Sequence, residues 1–211
     1  MSNQATICAT EALTQLREGN SRFVAEVRSQ GSLSQTRQRE VAEAQAPLAI
    51  ILGCSDSRVP AEIVFDQGLG DLFVIRVAGN IVAPSQVGSV EFAAARFGVR
   101  LVVVMGHSQC GAVRATLEEL ARPTVDQSQN LGAIVDRIRP AVEGLLDTGL
   151  AHASDTLLHH AVRANVRMSA NHLRHGSRVL EQLIQTDGLL VVGAEYSLET
   201  GVVDFFDGVP R

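Results

Sequence analysis

The chain has 211 residues, of which 45% are hydrophobic and 19% are charged, and this is typical of one ordinary globular α/β domain. A formal net charge of −5, the absence of a Lys/Arg-rich run and the lack of tryptophan argue against a nucleic-acid partner. No apolar run approaches the roughly 18–20 residues that span a bilayer, and no signal peptide is recognisable at the start. We therefore expect no membrane partner and a cytoplasmic location.

The first predicted elements are helical. Residues 9–28 carry apolar side chains at helical spacing, and Gly19 and Asn20 are expected to break this segment into two short helices. Residues 29–40 are polar and are predicted to be a loop or the start of a further helix. We expect residues 1–35 to form an N-terminal helical arm that packs outside the domain.

Apolar blocks and helical segments then alternate along the chain. Residues 47–53 are continuously apolar, as expected of a strand buried on both faces. Residues 71–79 are predicted to be the second strand, and residues 99–106 another buried strand. Helical spacing predicts the following helices, with Ser85 as the N-cap of the first: residues 85–98, 110–120, 130–148 and 153–186. Two late strands, 188–197 and 201–208, are expected to be antiparallel neighbours. The alternation predicts an α/β fold with a mostly parallel central sheet flanked by helices.

Chemically active side chains follow two of the predicted strands. Cys54 comes directly after the strand 47–53, while His107 follows the strand 99–106 and Cys110 stands three residues later, where a helix begins. Because functional sites in such sheets form beyond the carboxyl ends of the strands, these side chains are expected to meet. At the spacing i and i+3, His107 and Cys110 would share one face of a helical turn.

Two thiolates and one imidazole form a ligand set for Zn²⁺ with an open fourth position. The start of a helix near Cys110 would favour its thiolate form. Taken singly, His107 and each cysteine are more simply explained as buried core residues, but their joint placement at matching strand ends favours a metal. The odd number of cysteines, three, also makes a disulfide scaffold a poor interpretation. Cys8, in the polar N-terminal segment, is predicted to be a free thiol.

Asp56 and Arg58 lie immediately beyond the first candidate ligand. A carboxylate there would accept a hydrogen bond from a hydroxide at the metal and orient its lone pair toward a substrate. Alternatively, Asp56 would become the fourth metal ligand and close the site, unless Arg58 holds it away by a bidentate hydrogen bond. A third interpretation is an ordinary surface ion pair worth under about 1 kcal/mol.

The segments "CSDSR" at 54–58 and "GHSQCG" at 106–111 resemble the paired motif of the β-class carbonic anhydrases, and the similarity runs from about residue 45 to about residue 115. The resemblance implies a zinc lyase that reversibly hydrates carbon dioxide to bicarbonate and a proton. It implies attack by hydroxide at the metal on carbon dioxide in an apolar pocket. It also implies that the zinc ligands are Cys54, His107 and Cys110, and that Asp56 and Arg58 are the catalytic pair.

The same resemblance extends to the substrate pocket and the assembly. "AQAP" at 44–47 is similar to the family segment in which Gln45 would contact substrate across a dimer interface. Phe73, Val77 and Ala78 would line the carbon dioxide pocket. Members of the family form dimers, built partly by the N-terminal helices and often paired into tetramers, so a homodimer or homotetramer is expected. Ile51 replaces the tryptophan that forms a regulatory bicarbonate site in some members, which argues against that site here.

We accordingly expect a single domain over residues 1–211, with the arm at 1–35, a zinc-site core at 45–120, and a helical and C-terminal strand region at 121–211. Two alternatives remain open at this point. The same fold and metal would serve hydrolysis of another small molecule such as CS₂ or COS. Alternatively, the chain is a non-catalytic zinc protein whose closed structural or redox-sensing site also uses Asp56. No histidine is assigned as a proton shuttle, and His172 and His175 are interpreted as a solvated helix face.

Overall fold

The computed structural model describes residues 7–27, 29, 34–123, 128–148 and 154–210. The helices are α1 (Ala9–Val24), α2 (Gln35–Glu40), α3 (Ala61–Val64), α4 (Pro84–Arg96), α5 (Gly111–Ala121), α6 (Gln129–Val142), α7 (Ser154–His175) and α8 (Arg178–Thr186). The strands are β1 (Ala49–Gly53), β2 (Leu72–Arg76), β3 (Leu101–His107), β4 (Leu190–Tyr196) and β5 (Val203–Asp207). Short 3₁₀ turns occupy Ala78–Asn80 and Glu143–Leu145.

The five strands form one sheet in the order β2-β1-β3-β4-β5. The first four strands run parallel, and β5 is antiparallel to β4. This confirms the predicted α/β fold and the predicted pairing of the two late strands. The central strands β1 and β3 are buried along their whole length, which explains their continuous apolar sequences.

Alternate residues of each strand enter separate cores on the two faces of the sheet. On one face, Ile51 packs in a cluster with Leu13 and Leu16 of α1 and with Phe65, which follows α3. On the other face, Ile50 and Leu52 pack in a cluster that includes residues of α4, α7 and α8. Because helices cover both faces, a central strand with apolar residues on one face only would not fit here, whereas the outer strands β2 and β5 are only partly buried.

The expected break at Gly19 and Asn20 is wrong, since α1 continues through both residues to Val24. Gly19 is needed for a close approach: a Cβ atom there would lie 1.8 Å from the carbonyl oxygen of Phe65. The Asn20 side chain donates to the carbonyl oxygens of Val64 and Gly201 and accepts from the backbone N–H of Val203. Both residues therefore serve tertiary contacts rather than helix termination.

Three other local expectations are corrected by the structure. Helix α1 packs its buried residues on the chain's own sheet, so it does not lie outside the domain as an arm. Ser85 does not cap α4, because the N-cap is Ala83, Pro84 occupies the first turn, and the Ser85 hydroxyl bonds Gln86. The segment 153–186 is two helices, α7 and α8, and Ser177 caps the second by accepting from the Leu180 N–H.

Among the residues described, none of the helices combines the length and apolar character required to cross a membrane.

Candidate metal centre

The central strands β1 and β3 bring Cys54 and His107 to the same edge of the sheet. The two strands are parallel neighbours, with Gly53 paired to Met105. Cys54 therefore begins the loop beyond β1, while His107 is the last residue of β3. The convergence expected from the strand ends is confirmed.

Cys110 reaches this edge through a tight turn rather than through a shared helical face. His107 belongs to the strand, Gln109 has a φ of 57°, and Cys110 is the N-cap residue of α5. The expectation that His107 and Cys110 lie on one helical turn is therefore wrong. The left-handed conformation at Gln109 reverses the chain so that both side chains point into one site.

The ligand atoms of Cys54, His107 and Cys110 all lie within 4.8 Å of one another, and the three residues are buried. The His107 Nδ1 atom is 2.8 Å from the Ser108 carbonyl oxygen, which fixes the Nδ1–H tautomer of a neutral ring. The Nε2 atom is left buried without a hydrogen-bond partner in the described part of the chain. Two sulfurs and a free imidazole nitrogen at this spacing fit a tetrahedral soft-metal site, whose metal–ligand distances are about 2.0–2.3 Å.

The two thiols differ in acidity. The hydrogen bond from Cys110 is the largest influence on Cys54 and lowers its pKa, and His107 and the Gly79 N–H, 3.3 Å from the sulfur, act in the same direction against burial. The pKa of Cys110 is raised by that shared hydrogen bond and by burial. Backbone N–H groups at the start of α5 oppose this rise, but they are outweighed. The start of the helix therefore acts on Cys110 in the expected direction, but it is not the largest influence on the pKa of that thiol.

Asp56 is held beside this cluster by Arg58. The guanidinium donates from Nε to Oδ1 at 2.9 Å and from Nη2 to Oδ2 at 2.7 Å, and the Arg58 backbone N–H also donates to Oδ1 at 3.0 Å. These bonds, the Arg58 side chain foremost, hold the pKa of Asp56 well below its usual range. Its Oδ2 lies 3.8 Å from His107 Nε2, so a firmly ionised carboxylate borders the cluster.

Sequence reasoning missed Arg76, the last residue of β2. Its guanidinium donates to the carbonyl oxygens of Cys54 at 3.1 Å and Asp56 at 2.6 Å, which ties the loop carrying both residues to the neighbouring strand. The signal for it in the sequence was a single arginine inside the otherwise apolar run 72–79, "LFVIRVAG".

The remaining candidate residues fall in two places. Val77 donates its backbone N–H to Gly53, so Val77 and Ala78 lie at the edge that carries Cys54. Gln45 is exposed and precedes β1, at the opposite end of the strand from Cys54. Phe73 is the second residue of β2 and packs against the rings of Phe92 and Phe97. Within one chain, Gln45 and Phe73 are therefore not brought to the cluster.

Comparison with known proteins agrees with this arrangement. A family model described as carbonic anhydrase matches residues 49–203. The carbonic anhydrase of Mycolicibacterium smegmatis is 37% identical over 204 residues, covering 97% of this chain and 95% of that protein. The crystal structure of the β-carbonic anhydrase CafA of Aspergillus fumigatus superposes with a TM-score of 0.74 at 25% identity, covering 96% of this chain and 92% of that one.

One of two tetrameric β-carbonic anhydrases from Sordaria macrospora superposes with a TM-score of 0.69 at 25% identity, over 80% of this chain and 85% of that one. The chain belongs to the carbonic anhydrase family, in its β class, and is therefore an enzyme of a lyase family.

Proposed function

We propose that this enzyme reversibly hydrates carbon dioxide to bicarbonate and a proton, using a Zn²⁺ ion held by Cys54, His107 and Cys110. The observation that carries the proposal is the convergence of three buried ligand atoms within 4.8 Å, one of them a ring nitrogen with no other partner in the described residues. Two thiolates and an imidazole favour zinc and leave one coordination position for chemistry. When bound, zinc supplies its usual chemistry of lowering the pKa of a water molecule toward neutrality.

In this proposal Asp56 and Arg58 orient the nucleophile. The Asp56 carboxylate stays ionised because Arg58 donates to both of its oxygens, so it accepts a hydrogen bond from the attacking hydroxyl group. That hydrogen bond would direct an oxygen lone pair toward the carbon of carbon dioxide. The same bidentate contact would keep Asp56 from becoming a metal ligand. Loss of the contact would let Asp56 become a ligand and close the site.

The substrate pocket is proposed to be completed by a second subunit. Val77 and Ala78 would line the apolar side of the pocket from the same chain that holds the metal. Gln45 and Phe73 precede or begin their strands, at the end of the sheet away from Cys54, so they would serve the site of a partner subunit. The relative from Sordaria macrospora is described as tetrameric, which supports a homodimer or homotetramer here.

Stopped-flow measurement of carbon dioxide hydration across pH, with zinc quantified in the same samples, tests the proposal. We expect about one zinc per chain, with activity that rises with pH. Asp56→Ala should keep its zinc and lose activity by about 100-fold or more, as expected of a group that orients the nucleophile. Asp136→Ala removes an exposed carboxylate that pairs with Arg139, and it should leave both quantities unchanged.

Zinc at one per chain with no hydration at any pH would instead favour a closed structural or redox-sensing site. Hydrolysis of COS or CS₂ without carbon dioxide hydration would retain the metal and the fold but change the substrate. Either result would contradict the proposed activity.

A further inference from the structure

The 3₁₀ turn Ala78–Asn80 contacts the candidate metal centre directly through its backbone. The N–H of Gly79 donates to the Cys54 sulfur at 3.3 Å. The turn has an unusual backbone, because Gly79 and Asn80 have φ values of 69° and 43°, both in the left-handed region. Two successive left-handed residues persist only where the surroundings hold them in place.

Two side chains of α7 hold this turn from one side. Asn165 Nδ2 donates to the Gly79 carbonyl oxygen at 2.7 Å, and Ser169 Oγ donates to the Asn80 carbonyl oxygen at 3.0 Å. The two residues are four apart on the helix and so project from the same face. Both are almost fully buried, with 1% of Asn165 and 4% of Ser169 exposed.

The other side of the turn is closed by apolar side chains. A Cβ atom at position 79 would lie 2.8 Å from Ile138 Cδ1 and 3.1 Å from Ala112 Cβ. The turn therefore has no room to move toward α5 and α6. Its backbone is confined between this apolar wall and the two hydrogen-bond donors of α7.

We propose that Asn165, assisted by Ser169, is a positioning residue of the metal centre that keeps the Gly79 N–H directed at the Cys54 sulfur. The inference rests on the proposed function, in which Cys54 is a zinc ligand. A hydrogen bond to a thiolate ligand stabilises its ionised form and restrains the sulfur, and loss of such outer contacts typically weakens metal binding by about 10- to 100-fold. A purely structural Asn165 would satisfy a buried carbonyl group and affect stability alone.

Metal affinity and the spectrum of the Co²⁺-substituted protein distinguish the two roles. For Asn165→Ala we expect the Zn²⁺ dissociation constant, measured by competition with a chromogenic chelator, to rise by about 10- to 100-fold. The sulfur-to-Co²⁺ charge-transfer band should shift to longer wavelength, because losing an N–H···S bond raises the energy of the sulfur electrons. Ser169→Ala should change both readouts in the same direction by a smaller amount.

Asn20→Ala is the matched control. Asn20 is, like Asn165, a buried asparagine, and it bonds three backbone groups, but those groups lie in α3, in the turn before β5 and at the start of β5 rather than at the metal centre. We expect this variant to lower the melting temperature while leaving the Zn²⁺ dissociation constant and the Co²⁺ spectrum unchanged.

Wild-type affinity and spectrum in Asn165→Ala, with only a lowered melting temperature, would overturn the inference. Should Asn165→Ala fail to fold, the same readouts on Ser169→Ala decide it, and unchanged values there would overturn it equally. A wild-type chain that binds neither Zn²⁺ nor Co²⁺ would contradict the proposed function itself, which separates that failure from failure of the inference alone.

Discussion

The three cysteines differ in burial and in their surroundings. Cys54 and Cys110 are buried within the candidate metal centre, whereas Cys8 is exposed and its sulfur lies 3.3 Å from the Thr10 hydroxyl. We predict that Cys54→Ser lowers zinc from about one per chain to a small fraction, because a serine hydroxyl is too weakly acidic to replace a thiolate ligand. Carbon dioxide hydration should be lost with the metal. Elemental analysis and stopped-flow assay measure the two quantities.

Cys8→Ser provides the control for thiol loss as such. It should retain zinc and activity at wild-type levels, since its side chain lies outside the cluster. Full zinc occupancy in Cys54→Ser would exclude Cys54 as a ligand.

Among single residues, the candidate ligands could be predicted because each stands at the end of a recognisable strand or within three residues of it. Predicting that Cys54 and His107 meet required only the positions of the strand ends and the rule that the carboxyl ends of parallel strands lie at one edge of the sheet. Arg76 could not be assigned, because its hydrogen bonds to the Cys54 and Asp56 carbonyl groups cross between strands. The same holds for Asn165, which is 86 residues away from its partner Gly79.

At the element scale, the position of α1 depends on one glycine. A Cβ atom at Gly19 would overlap the Phe65 carbonyl oxygen, which belongs to backbone and cannot rotate away. We predict that Gly19→Ala lowers the free energy of unfolding by about 3 kcal/mol, since the helix must move off the sheet. Urea denaturation followed by circular dichroism measures the change.

Gly88 in α4 is the matched helical glycine. A Cβ atom there meets nothing within 4 Å, so Gly88→Ala should raise the unfolding free energy by about 0.5–1 kcal/mol through helix propensity alone. If Gly19→Ala proved as harmless as Gly88→Ala, α1 would not be held against Phe65.

Helices and strands could be predicted from the sequence wherever the pattern of apolar residues within the segment itself determines them. Continuous apolar runs identified the buried strands, and each predicted strand overlaps an observed one. The prediction of a break in α1 was wrong because it used only the low helix propensities of Gly19 and Asn20 and not their tertiary contacts. Packing against α3 and hydrogen bonds to β5 outweigh those weak local preferences.

Asp66 joins distant parts of the molecule, because it ties Arg22 of helix α1 and Ser29 to the segment that follows α3. Burial tends to raise its pKa, but hydrogen bonds from Arg22 and Ser29 outweigh burial and leave the pKa lowered. A lowered folded-state pKa contributes stability that is present above the unfolded value, about 3.9, and is lost as pH falls through the folded value.

We therefore predict that Asp66→Asn is less stable than wild type at pH 7 by about 1–2 kcal/mol. The difference should begin to shrink as the pH falls below about 4, where the carboxyl group of the unfolded chain takes up its proton, and it should be lost once the folded carboxyl group is protonated as well. Urea denaturation at a series of pH values measures the difference in unfolding free energy. The control variant Asp136→Asn removes a carboxylate from an exposed ion pair, and it should change the unfolding free energy by less than about 1 kcal/mol at every pH. A constant gap between Asp66→Asn and wild type would contradict the assigned cause.

The proposed contribution of Gln45 to a partner's site makes a prediction about mixed assemblies. Gln45→Ala and Asp56→Ala should each be weakly active alone, because every site lacks one group. After subunit exchange, an equal mixture should regain about a quarter of wild-type activity, since half of the dimers are hybrids and each hybrid has one intact site. Activity no higher than the mean of the two parents would place Gln45 outside the partner's site.

The fold class, the parallel core and the members of the Cys–His–Cys cluster could be predicted from the amino-acid sequence, because buried runs and strand ends are local features. The contacts that support the cluster became visible only in the folded chain: the turn at Gln109, the hydrogen bonds from Arg76 to the Cys54 and Asp56 carbonyl groups, and the hydrogen bonds from α7 to the turn at Gly79. These contacts join residues distant in the chain, and no local pattern specifies which distant groups will meet. Their geometry follows from how the helices pack on the sheet, and packing is a property of the folded chain as a whole.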